Sequence, residues 1–325
     1  MKLRESALNL GILTFWLSEQ QGEALYSLCA RFHHRSGFQR AETSSKFLFG
    51  FARASELTGI PKGLSHLAST VDGIGPPMRV LREMTVAGAY LPFMHPSRAD
   101  QLLELSSAQP DQDLLRQFGV GTSCISGVHD IKICPQCEAE DINQIGFPYW
   151  RAAHQFPGVY FCESHRALLN IVKNCHFSRH RWNRAIDCEN HRESLSLTLE
   201  ESSFLRRVTK LVLESSQQQC INTDELRRRT IKLFFERQIL AASNTLDRLA
   251  LFNWWKKVFP QCMESHLEIF RGFASAHWVN ELLSGKRKDH PLRWACLLAA
   301  LFQDSELEGV YENGALKKLG LIQAE

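Results

Sequence analysis

Apolar positions along this chain recur with a helical rhythm over most of its length. Leu25, Leu28, Cys29 and Phe32 fall at i, i+3, i+4 and i+7, which predicts a helix over 22–36, and Gly37 stands where its stop belongs. His33 and His34 follow the stripe and read as its partly exposed end. The stretch 51–67 reads as a short helix, a turn at Gly59 and a second short helix. That pattern suits either a helix-turn-helix or a plain αα-hairpin. Gly73 to Pro77 is a breaker cluster, 78–87 is helical, and 90–96 is an aromatic, proline-containing connector. An amphipathic helix follows over 98–118, interrupted near Pro110. From Leu197 onward the helical period returns. Phe204, Leu205, Val208, Leu211 and Val212 form one stripe, and Asn222 with Glu225 is a capping pair for a helix over 226–239. Asn244 or Thr245 opens the next helix, 246–259, which contains Trp254 and Trp255. A short helix at 278–283 and a buried apolar one at 292–302 complete the pattern.

The middle of the chain breaks this rhythm. Cys134-Pro135-Gln136-Cys137 is followed after 24 residues by Cys162-Glu163-Ser164-His165. Two short loops, each offering two soft or borderline ligands, are how a chain builds one tetrahedral zinc site from two knuckles. Cys134, Cys137, Cys162 and His165 close the shell, so the expected Zn2+ is structural rather than catalytic. A redox Cys-x-x-Cys would leave Cys162 and His165 unexplained. His154 is either a spare ligand or a hydrogen-bonding and packing residue. Cys188-Glu189-Asn190-His191 repeats the Cys-x2-His spacing, and Cys175, His180, Cys188 and His191 could hold a second zinc. The other reading of 175–191 is a basic, aromatic loop that covers the first site or touches phosphate.

Composition narrows the class. The chain has 325 residues and a formal charge of only +3, so charge as a whole names no partner. Its basic residues are clustered, at 179–184, at Arg206, Arg207 and Lys210, at 227–232, and at 286–288. They are either solvated helix faces or phosphate contacts, with Arg179, Arg181, Arg184, Lys286, Arg287 and Lys288 as the candidate DNA contacts. The 10 cysteines do not form a secreted disulfide framework, and Cys220, Cys262 and Cys296 read as scattered core thiols. No apolar run approaches membrane-spanning length and no cleavable leader is evident, which points to a reducing cytoplasm. There is no Walker lysine loop, no Gly-x-Gly-x-x-Gly, no Gly-x-Ser-x-Gly elbow and no deaminase zinc pattern. Glu140-Asp141 is an adjacent pair that need not converge on a cation. The expected fold is mainly α with a small zinc-ribbon-like α+β module: a helical domain over 1–125, the zinc module over 126–195 and a helical domain over 196–325.

The knuckles also carry a resemblance. Cys134-Pro135-Gln136-Cys137, Glu140-Asp141, Tyr149-Trp150-Arg151, His154-Gln155-Phe156-Pro157-Gly158-Val159 and Cys162-Glu163-Ser164-His165 are similar to the pattern of the TniQ/TnsD family of transposition target-selection proteins. The pattern departs at Glu163 and Arg166, neither of them a ligand. Glu23 to His33, Phe47 to Gly50, Tyr90 to Phe93 and His290 to Trp294 resemble further family segments. The resemblance implies a non-enzymatic adaptor that binds target DNA and recruits an AAA+ ATPase regulator of TnsC type, and through it the transposase. Such an adaptor works in the bacterial cytoplasm, on the nucleoid when DNA-bound. The alternative within the family is a TniQ-type scaffold, in some cases a homodimer, docked on an RNA-guided CRISPR effector complex. The chain ends soon after His290-Pro291, which fits either a short TniQ-like member or a chain lacking the C-terminal DNA-reading extension.

Overall fold

The computed structural model describes residues 15–52, 54, 57–108, 114, 130–173, 181–240, 246–286 and 289–302. Its first helix, α1 (Leu25–Ser36), buries Leu25, Leu28, Cys29 and Phe32, and Gly37 ends it with a φ of 71°. A left-handed residue at that position satisfies the last carbonyls, and glycine adopts it without Cβ strain. Then come α2 (Ala41–Phe49), α3 (Leu64–Thr70), α4 (Pro77–Met84), α5 (Ala87–Tyr90) and α6 (Pro96–Ser107). The short helix expected from Phe51 is not seen: Phe51 and Ala52 bend, Leu57 and Thr58 turn, and helical structure resumes only at Leu64. A tight two-helix hairpin across Gly59 is therefore not the local geometry among the described residues.

The expected connector 90–96 is also different. Tyr90 ends α5, Leu91–Phe93 form a 3-10 turn, and all four are buried. Their apolar side chains fill space between the two helical parts of the chain. The backbone carbonyl of Pro92 accepts from Ile221 N at 2.7 Å. The Tyr90 ring meets the His290 ring edge-on, with centroids 5.2 Å apart.

A three-stranded antiparallel sheet supports the Cys/His segment. Its strands are β1 (Ile131–Ile133), β2 (Asn170–Val172) and β3 (Arg192–Glu193), in that spatial order. Lys132 pairs with Ile171, and Ile171 with Glu193. Helix α7 (Pro135–Ile145) leaves β1 directly, with proline in its first turn and Gly146 (φ 83°) at its end. This arrangement of short strand, turn and helix agrees with the mainly helical fold holding a small α+β module.

The C-terminal part consists of α8 (Leu199–Ser216), α9 (Thr223–Glu236), α10 (Arg248–Val258), α11 (Met263–His266), α12 (His277–Leu283) and α13 (Pro291–Leu301). The stripe Phe204, Leu205, Val208, Leu211 and Val212 is buried as its period predicts. Asn222 Oδ1 accepts from Glu225 N at 3.0 Å and starts α9. For α10 the cap is Asp247, accepting from Leu249 N and Ala250 N; Asn244 and Thr245 lie outside the described residues. Trp255 is fully buried, stacked on Phe259 and edge-on to Trp278 at 4.9 Å. Cys296 is a core thiol as expected, but Cys220 and Cys262 are exposed. They sit in the connections between helices, where no apolar stripe carries them inward. Among the described residues no helix is long and apolar enough to cross a membrane.

Candidate metal centre

Cys134, Cys137, Cys162 and His165 meet, with one ligand atom from each, all within 4.8 Å of one another. Cys137 Sγ lies 3.5 Å from Cys162 Sγ and 3.3 Å from His165 Nδ1. His165 Nδ1 is 3.5 Å from both Cys134 Sγ and Cys162 Sγ. A tetrahedral zinc with ordinary metal–ligand distances has edges of about 3.5 to 3.8 Å, so the four atoms stand where one ion would hold them. The three sulfurs are buried, and four donors close the shell.

Local folding makes this geometry. Cys134 follows β1 and caps α7, its Sγ accepting from Cys137 N at 3.5 Å. The positive end of a helix favours a thiolate there. Cys162 N is held by the Ala167 carbonyl at 2.9 Å and Arg166 N returns to the Cys162 carbonyl at 2.8 Å, which folds the second loop back on itself. Hydrogen bonds from Cys134 and Cys137 drive the Cys162 thiol far down, while contacts with Cys134 and Cys162 push Cys137 far up. Three sulfurs this close cannot all ionise without a cation between them. The donor set therefore fits a bound metal.

The surrounding side chains orient the ligands. His165 Nε2 is 3.0 Å from Glu140 Oε1, so the carboxylate fixes the tautomer that presents Nδ1 to the sulfurs. His154 stands outside the four-residue cluster. It is buried, and burial lowers its pKa and favours the neutral ring. Asp141 takes both guanidinium nitrogens of Arg151, at 2.7 and 2.8 Å. Gln155 braces β1, its Oε1 accepting from Lys132 N at 3.1 Å and its Nε2 donating to Lys132 O at 2.8 Å. Lys132 is itself buried, with Nζ donating to Phe156 O at 3.0 Å and lying 4.7 Å from the centre of the Tyr160 ring.

The centre is tied to α1 by a second set of buried polar contacts. Arg31 Nε and Nη2 grip Glu23 at 2.9 and 2.6 Å, and Ser27 Oγ donates to the same carboxylate at 2.8 Å. Ser27 Oγ also accepts from Trp150 N at 3.1 Å, while Ala24 N donates to Trp150 O at 2.8 Å. The fully buried Trp150 donates its indole N–H to Asn183 O at 2.9 Å. Glu23, Ser27 and Arg31 carried no assigned role at the sequence level. Ser27 and Arg31 stand one turn apart on α1, and Glu23 lies just before its start.

The other candidates are distributed. Cys175, Arg179, His180, Arg287 and Lys288 lie outside the described residues. Cys188 is buried and disulfide-bonded on the 3-10 segment Ile186–His191, and His191 is exposed at its end. Arg181 and Lys286 are exposed. Arg184 is bound to Asp187 through two of its nitrogens, at 3.2 and 2.8 Å. The basic run 227–232 is matched by acids: Arg227 with Asp224 and Asp289, Arg228 and Arg229 with Glu225, and Lys232 with Glu236.

Part of this frame is similar in sequence to known proteins. Residues 14–169 match the family model described as TniQ. Over that stretch, just under half of its length, the chain is similar to the TniQ family. The matched stretch contains α1, both knuckles and the polar clamp between them. Over 162 residues the chain is 24% identical to the transposon Tn7 transposition protein TnsD of Escherichia coli. That match covers 49% of this chain and 32% of the relative's length.

Proposed function

We propose that this protein is a non-enzymatic target-selection adaptor for DNA transposition, built around one structural Zn2+ on Cys134, Cys137, Cys162 and His165. The observation that carries the reading is the TniQ match over residues 14–169 together with what its motif residues do. Glu23, Ser27, Arg31, Glu140, Asp141, Arg151 and Gln155 hold ligands, strand and helix in place. The metal would neutralise three thiolates and lock two loops; four protein donors leave it no position for a substrate. Such a rigid frame suits a surface that other macromolecules dock on.

The partners in this proposal are target DNA and an AAA+ regulator of TnsC type. Arg181 and Lys286, with Arg179, Arg287 and Lys288, are the proposed DNA contacts. Arg184 belongs to the same set through its backbone neighbourhood, with its charge already shared by Asp187. The test is a transposition assay with mapped insertions in cells carrying the native element. Deleting the gene should abolish or scatter the insertions, and Cys162→Ser should behave as the deletion does. Unchanged frequency and distribution would overturn the reading. Nucleic acid co-purifying with the protein separates direct readout from guidance: DNA that is lost with salt supports a site reader, and a discrete small RNA with effector proteins supports a guide-complex scaffold. Metal analysis of the same material under reducing conditions, at one or two ions per chain, tests the second set on Cys175, His180, Cys188 and His191.

A further inference from the structure

A cleft of about 390 Å³ separates the second knuckle from α8, and three cations line it: Arg166, Arg206 and Lys210. Two of them come from one helix, a turn apart, and the third from the loop that carries Cys162 and His165. The Arg206 guanidinium lies 4.2 Å from the centre of the Phe161 ring and donates from Nη1 to Arg166 O at 3.1 Å. It is positioned before any ligand arrives. Arg166 has a φ of 53°. This is the left-handed region, uncommon outside glycine, and such outliers concentrate at binding sites. The chain thus holds an exposed arginine at a backbone position that glycine would occupy without strain.

Charge selects the ligand. Glu163 and Glu214 also line the cleft, so three cations and two carboxylates leave a net +1. One phosphodiester, with a single negative charge, matches that balance; a phosphomonoester or polyphosphate does not. Phe161 and Leu213 add apolar lining that a sugar can rest on. We propose that this cleft takes one backbone phosphodiester of a bound nucleic acid, with Arg166, Arg206 and Lys210 as its contacts. The proposal rests on the reading that the protein binds nucleic acid, and it places a contact beside the metal knuckle rather than at Arg181 or Lys286.

The test is a fluorescence-anisotropy titration of labelled duplex DNA and of single-stranded RNA against the full chain over a range of salt. Arg166→Gly removes the guanidinium and relaxes the backbone, so it keeps the fold; Lys210→Ala is the second variant, and metal content and melting temperature verify both. Losing one phosphate contact lowers the salt slope by about 0.9 on duplex and about 0.7 on a single strand, and weakens binding at 0.1 M salt about eight-fold and about five-fold respectively. Arg166→Gly should show that loss, and adding Lys210→Ala should not restore it. A loss on duplex alone identifies the ligand as DNA, a loss on RNA alone as RNA, and a loss on both as the backbone common to the two. If wild type binds with a steep salt slope and both variants match it, the cleft assignment falls and the nucleic-acid reading stands. If wild type shows no salt-dependent binding to either probe, both fall.

Discussion

Glu140 and Asp141 are adjacent, yet they hold different partners: one orients His165, the other locks Arg151. Glu140→Gln should lower metal affinity by about 10- to 100-fold, read by competition with a chromophoric chelator. Unchanged affinity would mean that the carboxylate does not tune the ligand. Lys132 sets a second test. Burial lowers its pKa from 10.5 to about 7. Between those values the unfolded chain binds more protons than the folded one, so stability rises with pH across that window and is flat below it. Replacing it as Lys132→Met should remove this slope. It should also leave the protein at least as stable near pH 7, because a desolvated cation is no longer enclosed. The comparison is a pair of denaturant series between pH 7 and pH 10; parallel curves would rule the lysine out as the source.

Among the elements, α8 shows how ends and faces combine. Thr198 Oγ1 accepts from Glu201 N at 3.2 Å and Glu201 returns to Thr198 N at 2.8 Å, a reciprocal capping box. The Thr-x-x-Glu spacing is the sequence signal for it, less conspicuous than the apolar stripe that follows. Thr198→Ala should cost about 1 kcal/mol, seen as a lower melting temperature with an unchanged spectrum. Where α8 and α13 approach the knuckle, Gly158 has a φ of 83°, and an added Cβ would lie 2.5 Å from Leu292 Cδ1 and 3.0 Å from Val208 Cγ1. Both backbone and packing demand glycine. Gly158→Ala should destabilise by about 2 to 3 kcal/mol; a variant melting with the wild type would show that these three segments are not tightly apposed.

At the scale of the whole molecule, the Cys/His cluster and the N-terminal helix form one support. Trp150 is bonded to both Ala24 and Ser27, and Ser27 to the buried Glu23–Arg31 pair. Removing the metal should therefore loosen α1 as well as the knuckles. Hydrogen exchange after chelation should show loss of protection over 25–36 together with 134–165; protection lost only in the knuckles would make the two independent. Breaking the pair by Arg31→Met leaves an uncompensated buried carboxylate and should cost about 3 to 5 kcal/mol, measured as a lower denaturation midpoint.

Patterns that depend on neighbours along the chain were readable without coordinates. The 3.6-residue stripes placed α1 and α8, a continuous apolar run placed α13, the caps at Gly37 and Asn222 followed from local chemistry, and the Cys-x2-Cys and Cys-x2-His spacing named all four clustered residues. Each is a short-range rule, in which the spacing itself dictates which side chains share a face or a loop. What joins distant segments was decided by tertiary structure. The sequence could not show that Tyr90 would meet His290, or that Glu23 and Ser27 would brace the knuckle through Trp150. Nor could it show that the basic run on α9 is neutralised in part by Asp289, or that Arg166, Arg206 and Lys210 share one cleft. A charge's partner depends on which surfaces fold against each other, and a residue's own neighbours in sequence carry no record of that.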